Sequence, residues 1–241
     1  MSETTKHTLY PDPEKIRSMF SKVAANYDLG NSVLSLGIHH LWRKKVVQLA
    51  KVTNGMSVLD CATGTGDLAI EFKKYVGTTG RVIGTDFCAE MLETAPEKSK
   101  KENLDIKFEL ADVTKLKYEN NKFDRVSISF GIRNVSDPVL ALKEMARVTK
   151  PGGLVLVLEF GQMTIPVISS LYNFYSLHIL PKLGGLVTGQ GAAYDYLQKS
   201  SAAFPSRDKF LNLMHDAGSF SEVKFTAVSF GIAYIYVGVV K

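Results

Sequence analysis

Ten residues, Val58-Leu59-Asp60-Cys61-Ala62-Thr63-Gly64-Thr65-Gly66-Asp67, carry an apolar run straight into a turn of small residues and then into an amphipathic stretch, Leu68 to Tyr75. Gly64 and Gly66 permit backbone angles and close approach that a side chain would block, and the helix start supplies unpaired amide donors. Such a turn suits a nucleotide-like cofactor. Asp86 ends the next apolar run about 20 residues later, where a carboxylate fits a ribose diol. Nicotinamide and flavin folds would use Asp86 in the same way, so loop and acid together do not separate these cofactors. Asp112, after a third run, stands where a carboxylate could accept a hydrogen bond from an adenine amino group, with Val113 against the ring. Taken alone, an aspartate there is a turn former or a helix cap. Its place in an ordered set is what gives it meaning, because ligands of such sheets bind at the carboxyl ends of the strands.

Positioning these residues requires a parallel sheet. From about residue 55 onward, apolar runs alternate with amphipathic segments in the βαβ manner. The runs predict strands at Ser57 to Cys61, Arg81 to Asp86, Ile106 to Ala111, Phe123 to Ser129 and Leu154 to Glu159. Between the last two, Asp137 to Thr149 sets Leu140, Ala141, Met145 and Val148 on one helical stripe, which Lys150-Pro151-Gly152-Gly153 stops. Val223 to Val240 reads as two further strands broken near Gly231, a hairpin closing a sheet edge. Ahead of this core, Ile16, Met19, Phe20, Val23, Ala24 and Tyr27 follow helical spacing, and Leu41, Trp42, Val46 and Leu49 mark a second helix. The polar stretch Asn31 to Ser35 is expected to be the turn between the two, and the pair to cap the sheet.

After the fifth run the composition changes. From Phe160 to Tyr194 the one formally charged residue is Lys182, while Tyr172, Phe174, Tyr175, Leu177, Ile179 and Leu180 crowd together. Pro166, Pro181, Gly184 and Gly185 interrupt the stretch, which lacks the roughly 20 consecutive apolar residues needed to span a bilayer. It reads either as core helices or as a lipophilic lid.

The whole chain, 241 residues with 45% hydrophobic and 22% charged content, has the composition of one globular domain. The expected division is an N-terminal helical cap over 1–54, a cofactor-binding core over 55–160, an apolar substrate lid over 161–205, and a helix with a strand hairpin over 206–241. Met1 to Lys15 is polar and lacks the apolar centre of a secretory signal, so a cytoplasmic location is expected. Two cysteines, Cys61 and Cys88, fit a reducing compartment, and no CxxC or Cys/His spacing suggests a metal. The net charge of +5 and the pI near 9.0 admit nucleic acid, an anionic membrane or a lysine-rich solvated face; the lysines are scattered. The absence of any recognisable nucleic-acid module argues against a nucleic-acid partner.

The sequence resembles the class I methyltransferases that use S-adenosylmethionine, and more closely the menaquinone and ubiquinone C-methyltransferases of the UbiE/MenG type. The likeness runs nearly end to end. It includes Met19-Phe20, Val23-Ala24, Tyr27-Asp28, Trp42-Arg43, the Asp60 to Asp67 loop and, most specifically, Phe130-Gly131-Ile132-Arg133-Asn134-Val135. Arg147-Val148, Lys150-Pro151-Gly152-Gly153, Leu158-Glu159-Phe160 and Tyr194 to Leu197 continue it. The resemblance implies an α/β fold, a Rossmann-like class I methyltransferase with a mostly parallel seven-stranded sheet, helices on both faces and an N-terminal helical cap. It places Thr65, Asp86, Asp112, Val113 and Ser129 on cofactor-contacting positions, beside Asp60, Gly64 and Gly66 of the loop. Two departures stand out: Thr63 replaces a glycine common among relatives, and Asp112 to Asn121 lacks the usual Leu-Pro-Phe.

The activity so implied is transfer of a methyl group from S-adenosylmethionine to a ring carbon of a lipid-tailed quinol. Holding the partners in a near-attack arrangement contributes roughly 7–11 kcal/mol, and a dry pocket favours a step that neutralises charge. The ring must be reduced, because losing a phenolic proton pushes electron density onto the adjacent carbon; a general base is therefore expected. Arg133 and Asn134 are expected to bind or polarise the ring oxygens, the proton leaving through water, His178, Tyr194 or Tyr196. Each has a plainer role available: Arg133 pairing with Asp137, Asn134 capping the next helix, the tyrosines packed in a core. His39 and His40 are weaker candidates. Demethylmenaquinol is the favoured substrate, with a methoxy-polyprenyl benzoquinol of ubiquinone biosynthesis, a small-molecule O-methyl acceptor and a non-catalytic cofactor-binding subunit as alternatives. Peripheral contact with the inner membrane face is expected, and a second copy of the chain is left open as a partner.

Overall fold

The computed structural model describes residues 12–163 and 191–241. Among the described residues, the N-terminal region forms three α-helices, α1 (Pro13–Val23), α2 (Tyr27–Leu34) and α3 (Ile38–Ala50). Asp12 starts α1 by accepting the amide of Glu14 at 3.0 Å, with Pro13 in the first turn, where its missing N–H costs nothing. The stretch Asn31 to Ser35 is not the turn its composition predicts. Four of its five residues continue α2, and the chain reverses at Leu36 and Gly37, both at positive φ. Asp28 anchors the helix to Lys98 and Thr65, and the Ser35 hydroxyl donates to the Asn31 carbonyl at 2.7 Å, so the weak local preference of Asn and Ser for turns does not end it early.

The core alternates strand and helix: β1 (Ser57–Cys61), α4 (Asp67–Val76), β2 (Arg81–Asp86), α5 (Ala89–Leu92), α6 (Ala95–Lys101), β3 (Lys107–Leu110), β4 (Phe123–Ser129), α7 (Pro138–Val148) and β5 (Thr149–Phe160). After residue 190 come α8 (Gly191–Ala203), α9 (Asp208–Asp216), β6 (Phe220–Val228) and β7 (Ala233–Val240). The seven strands lie in the order β3-β2-β1-β4-β5-β7-β6. The first five are mutually parallel; β7 runs antiparallel between β5 and β6, so the C-terminal hairpin closes one side.

Successive residues of each central strand feed opposite cores, the period-two rule of a sheet covered on both faces. Leu59, Cys61, Val155 and Val157 pack with Met145 of α7 and with Phe210 and Met214 of α9. Val58, Leu156 and Leu158 pack on the other side with Val46 and Ala50 of α3 and Phe72 of α4. Burying a side chain of this size contributes about 1.5–3 kcal/mol, enough to fix the strand register and with it the carboxyl edge where β1, β2 and β4 end. β5 begins earlier than its sequence suggests: Thr149 already pairs with Phe123, and the ladder shifts register before Leu154 meets Arg125. The Lys150-Pro151-Gly152-Gly153 run is therefore an irregular entry to the strand rather than a loop ahead of it.

Most of the lid stretch, residues 164–190, lies outside the described residues, and His178 lies there with it. Among the described residues no helix is long and apolar enough to cross a membrane.

Candidate active site

Where β1 ends, Ala62, Gly64 and Gly66 take positive φ values of 47°, 56° and 86°, which swings the chain across the carboxyl edge before α4 begins. A side chain at Gly64 would meet Met91 Cε at 3.2 Å and Tyr27 Cε1 at 3.9 Å, so the glycine keeps open a space that these residues wall. Its amide donates to Asp86 Oδ2 at 2.9 Å, while the Cys88 amide donates to Oδ1 at 3.0 Å. Burial pushes the Asp86 carboxyl up, and the backbone donors pull it back. Each carboxylate oxygen retains lone-pair capacity for a further donor such as a sugar hydroxyl.

These residues border an open, largely apolar cleft with a few convergent polar groups, the character of a small-molecule site. Gly64, Asp86, Asp112, Val113, Ser129 and Asn134 all line it. Asp112 Oδ1 accepts from the amide and the hydroxyl of Thr114, both at 2.8 Å, and so closes a tight turn. The buried Val113 supplies an apolar wall beside it. Ser129 Oγ is withdrawn from solvent and has no hydrogen-bond partner among the described residues, a condition that costs about 1–3 kcal/mol unless a ligand group answers it. A buried unanswered hydroxyl, a carboxylate and a side-chain-free loop around one cleft fit an adenosyl cofactor, S-adenosylmethionine included.

Other residues expected at the cofactor stand behind the wall. Asp60 is fully buried and accepts from Thr63 Oγ1 at 2.7 Å and Ser127 Oγ at 2.6 Å. Burial pushes its carboxyl up to about 6 against the pull of those two bonds. Thr63, which replaces a glycine, is not among the described residues at positive φ; its hydroxyl serves Asp60, so the exchange adds a bond without straining the loop. A side chain at Gly66 would meet Phe108 and Ala95 at 3.0–3.1 Å, neither of which lines the cleft. Thr65 turns its hydroxyl to Asp28 Oδ1 at 2.5 Å and receives Lys98 Nζ at 3.1 Å. Asp60, Thr65 and Gly66 thus shape the loop in this structure, and their side of it does not border the cleft.

The bonds of Thr65 belong to a network that sequence spacing did not reveal. Lys98 pairs with Asp28 at 2.6 Å and also with Asp67, which pairs in turn with Arg43 at 2.9 Å. Burial opposes ionisation of Asp67, yet Arg43 and Lys98 outweigh it and hold the carboxyl below its usual range. The network ties α2 and α3 to the loop and to α6, which places Pro13, Phe20 and Tyr27 along the cleft. Burial pushes the Tyr27 phenol up. His39 and His40 stack at 3.9 Å, and their ring nitrogens come within 4.8 Å of an Asp67 oxygen, a juxtaposition invisible in the sequence. With Asp67 already committed to two cations, the cluster reads as an ion-pair network rather than a metal centre. Desolvation, reinforced by Arg43 and His40, lowers His39 to about 4.

The cleft wall continues at Phe130, a bulky residue at φ 55° and therefore in a strained conformation. Its carbonyl accepts Arg133 Nη1 at 2.7 Å. The partner of Arg133 is Glu159, not Asp137: Nη1 meets Glu159 Oε1 at 2.6 Å, and the guanidinium lies 5.4 Å from the centre of the Phe160 ring. Arg133 Nε is buried without a partner among the described residues. Asp137, not Asn134, caps α7 by accepting the Leu140 amide at 2.9 Å. Asn134 instead lines the cleft and accepts the Tyr196 hydroxyl on Oδ1 at 3.0 Å. Tyr194 belongs to α8. A carboxylate in the middle of the apolar run Leu158-Glu159-Phe160 was the signal that Arg133 had a buried partner.

The arrangement has known counterparts. The model of the ubiE/COQ5 methyltransferase family matches residues 9–240. A Bdellovibrio bacteriovorus protein named ubiquinone/menaquinone biosynthesis C-methyltransferase UbiE is 68% identical over 231 residues, covering 96% of this chain and 98% of its own. A protein of the same name from Geobacter sp. (strain M21) is 42% identical over 227 residues, 93% and 96% of the two chains. In fold, the chain is similar to a SAM-dependent methyltransferase from Aquifex aeolicus, with a TM-score of 0.61 at 20% identity over 83% of this chain and 89% of that one.

Proposed function

The chain belongs to the ubiE/COQ5 methyltransferase family and is an S-adenosylmethionine-dependent methyltransferase, and on that premise we propose that it methylates a ring carbon of demethylmenaquinol, completing menaquinol. The observation that carries the reading is the near full-length identity of 68% to a ubiquinone/menaquinone biosynthesis C-methyltransferase, whose name covers two ring types. C-methylation of a methoxy-polyprenyl benzoquinol, the ubiquinone step, is the second reading and rests on the same name. In both, the acceptor is a lipophilic quinol, and we propose that it reaches the enzyme from the cytoplasmic face of a membrane.

S-adenosylmethionine, when bound, supplies a methyl group activated on a sulfonium. Gly64, Asp86, Asp112, Val113 and Ser129 would hold it: Asp86 would accept ribose hydroxyls, Asp112 and Val113 would take the base, and Ser129 Oγ would gain the hydrogen bond that no described residue provides. Asn134, at the same cleft wall and bonded to Tyr196, orients the quinol oxygens. Arg133, bonded to the Phe130 carbonyl and to Glu159, holds the turn that presents Asn134 to the cleft. The two charges neutralise each other, so the pair contributes a fixed position for that turn rather than a net charge at the ring. Tyr27, Phe20 and Phe130 line the cleft with apolar surface, which excludes water and strengthens each of these interactions.

Mass spectrometry of quinones from cells lacking this gene tests the proposal. Accumulated demethylmenaquinone is the expected result; accumulated demethylated methoxy-benzoquinone would establish the second reading instead. Incubating the purified chain with reduced quinols of each ring type checks the same point directly.

A further inference from the structure

Several of the large apolar side chains left exposed gather at one end of the cap. Leu36 is 84% exposed, Leu41 64% and Ile38 38%, while Phe230, in the β6–β7 turn, is 68% exposed. Ile38 and Leu41 share the outward face of α3 with the exposed Lys44, Lys45 and Gln48, opposite the buried Trp42, Val46 and Val47. The β6–β7 turn is joined to this helix through Trp42, whose indole N–H donates to Ser229 Oγ at 2.8 Å, and Phe230 follows Ser229 in that turn.

Two features set this face apart from scattered surface leucines. Leu36 and Phe230 hold φ values of 50° and 59°, the left-handed region that disfavours bulky side chains, and they present those side chains to solvent. Neither recovers the strain by burial in this structure. The charge is also one-sided: from Leu29 through Leu59 the chain contains Arg43, Lys44, Lys45 and Lys51 and no aspartate or glutamate. Arg43 is turned inward to Asp67, which leaves three lysines outward. Apolar side chains at a tip with lysines one turn behind them match an interface between acyl chains and anionic headgroups. The face also adjoins the site, since Trp42 packs against Phe130 and Phe160 at 6.0 and 6.2 Å, and Phe130 lines the cleft.

We propose that Leu36, Ile38, Leu41 and Phe230, with Lys44 and Lys45 beside them, form the surface by which this chain docks on a bilayer containing anionic lipid, next to the cleft that receives the quinol. The proposal deepens the quinol reading and rests on it for its purpose, but it is tested without any quinol. Purified full-length chain is sedimented with vesicles of phosphatidylcholine alone or mixed with phosphatidylglycerol. Binding is expected to require phosphatidylglycerol and to weaken with salt. Lys44→Glu/Lys45→Glu lowers it at least about twentyfold, taking about fivefold per lysine, and Leu41→Ser or Phe230→Ser lowers it about tenfold. Unchanged melting curves show that these surface variants fold, and methyl transfer to a short-tailed quinol free in solution stays at the parent level. Equal binding to both vesicle types, parent-like binding by the variants, or conversion of a dimer to monomers by Leu41→Ser would each overturn the proposal, the last marking the face as an interface between copies. Vesicle binding that persists when no quinol is methylated would sink the substrate reading and leave the docking surface standing.

Discussion

Arg133 and Glu159, 26 positions apart, meet at 2.6 Å with side chains 6% and 1% exposed. A buried pair of this kind contributes little net stability when whole, yet is costly to break, because one charge is then left without solvent or partner. Arg133→Ala should lower unfolding free energy by about 3–5 kcal/mol. Arg133→Met/Glu159→Leu, which removes both charges, should recover most of that loss. Urea unfolding of the two variants measures it; a single variant as stable as the parent would mean that the pair is not closed.

Asn134 faces the cleft and is bonded to Tyr196, so its loss should affect catalysis rather than cofactor affinity. Asn134→Ala is expected to lower turnover about 100-fold, the scale of one lost oxyanion-stabilising donor. Calorimetric affinity for S-adenosylmethionine should change little. Normal turnover in this variant would show that the quinol sits elsewhere.

Ser129 gives a test in which two outcomes have opposite signs. If its unpartnered hydroxyl is answered by the cofactor, Ser129→Ala weakens S-adenosylmethionine binding about 5- to 10-fold while the free protein becomes no less stable. A variant that is more stable with unchanged affinity would leave the hydroxyl with no ligand role. Asp86→Asn should weaken binding further, by about 10- to 100-fold, because a charged acceptor is lost.

The buried Asp60 carboxyl, raised to about 6 from an ordinary value of 3.8, binds its proton more tightly in the folded state than in the unfolded one. Its contribution therefore favours folding below about pH 4 and is lost as pH rises toward 6, at up to about 1.4 kcal/mol per pH unit. Asp67, held low by Arg43 and Lys98, acts in the opposite sense: its stabilisation is present above its unfolded value and is lost as pH falls. Urea unfolding between pH 4 and 7 should show Asp60→Asn losing stability less steeply than the parent as pH rises. Parallel profiles would mean that Asp60 titrates normally.

The sequence by itself determined the parallel frame and the cleft edge. β1, β2 and β4 begin and end where their apolar runs do, because a strand covered on both faces is a continuous apolar block bounded by residues that cannot stay in it. The glycine turn and the acidic residue ending β2 were equally legible, since a backbone that must take positive φ beside a ligand restricts its residue types locally. Gly64, Asp86, Asp112, Val113, Ser129 and Asn134 accordingly meet at one cleft. Only the tertiary structure decided which residues stand behind that wall: Thr65 turned toward Asp28 and Lys98, Asp60 locked under Thr63 and Ser127, and Arg133 paired with Glu159 instead of its neighbour Asp137. It also decided that Asn31 to Ser35 helps build α2 and that β5 starts at Thr149. Such choices turn on the partner of a charge or a weak helix former, and that partner is brought close by packing between segments distant in the chain, where spacing along the sequence carries no record of it.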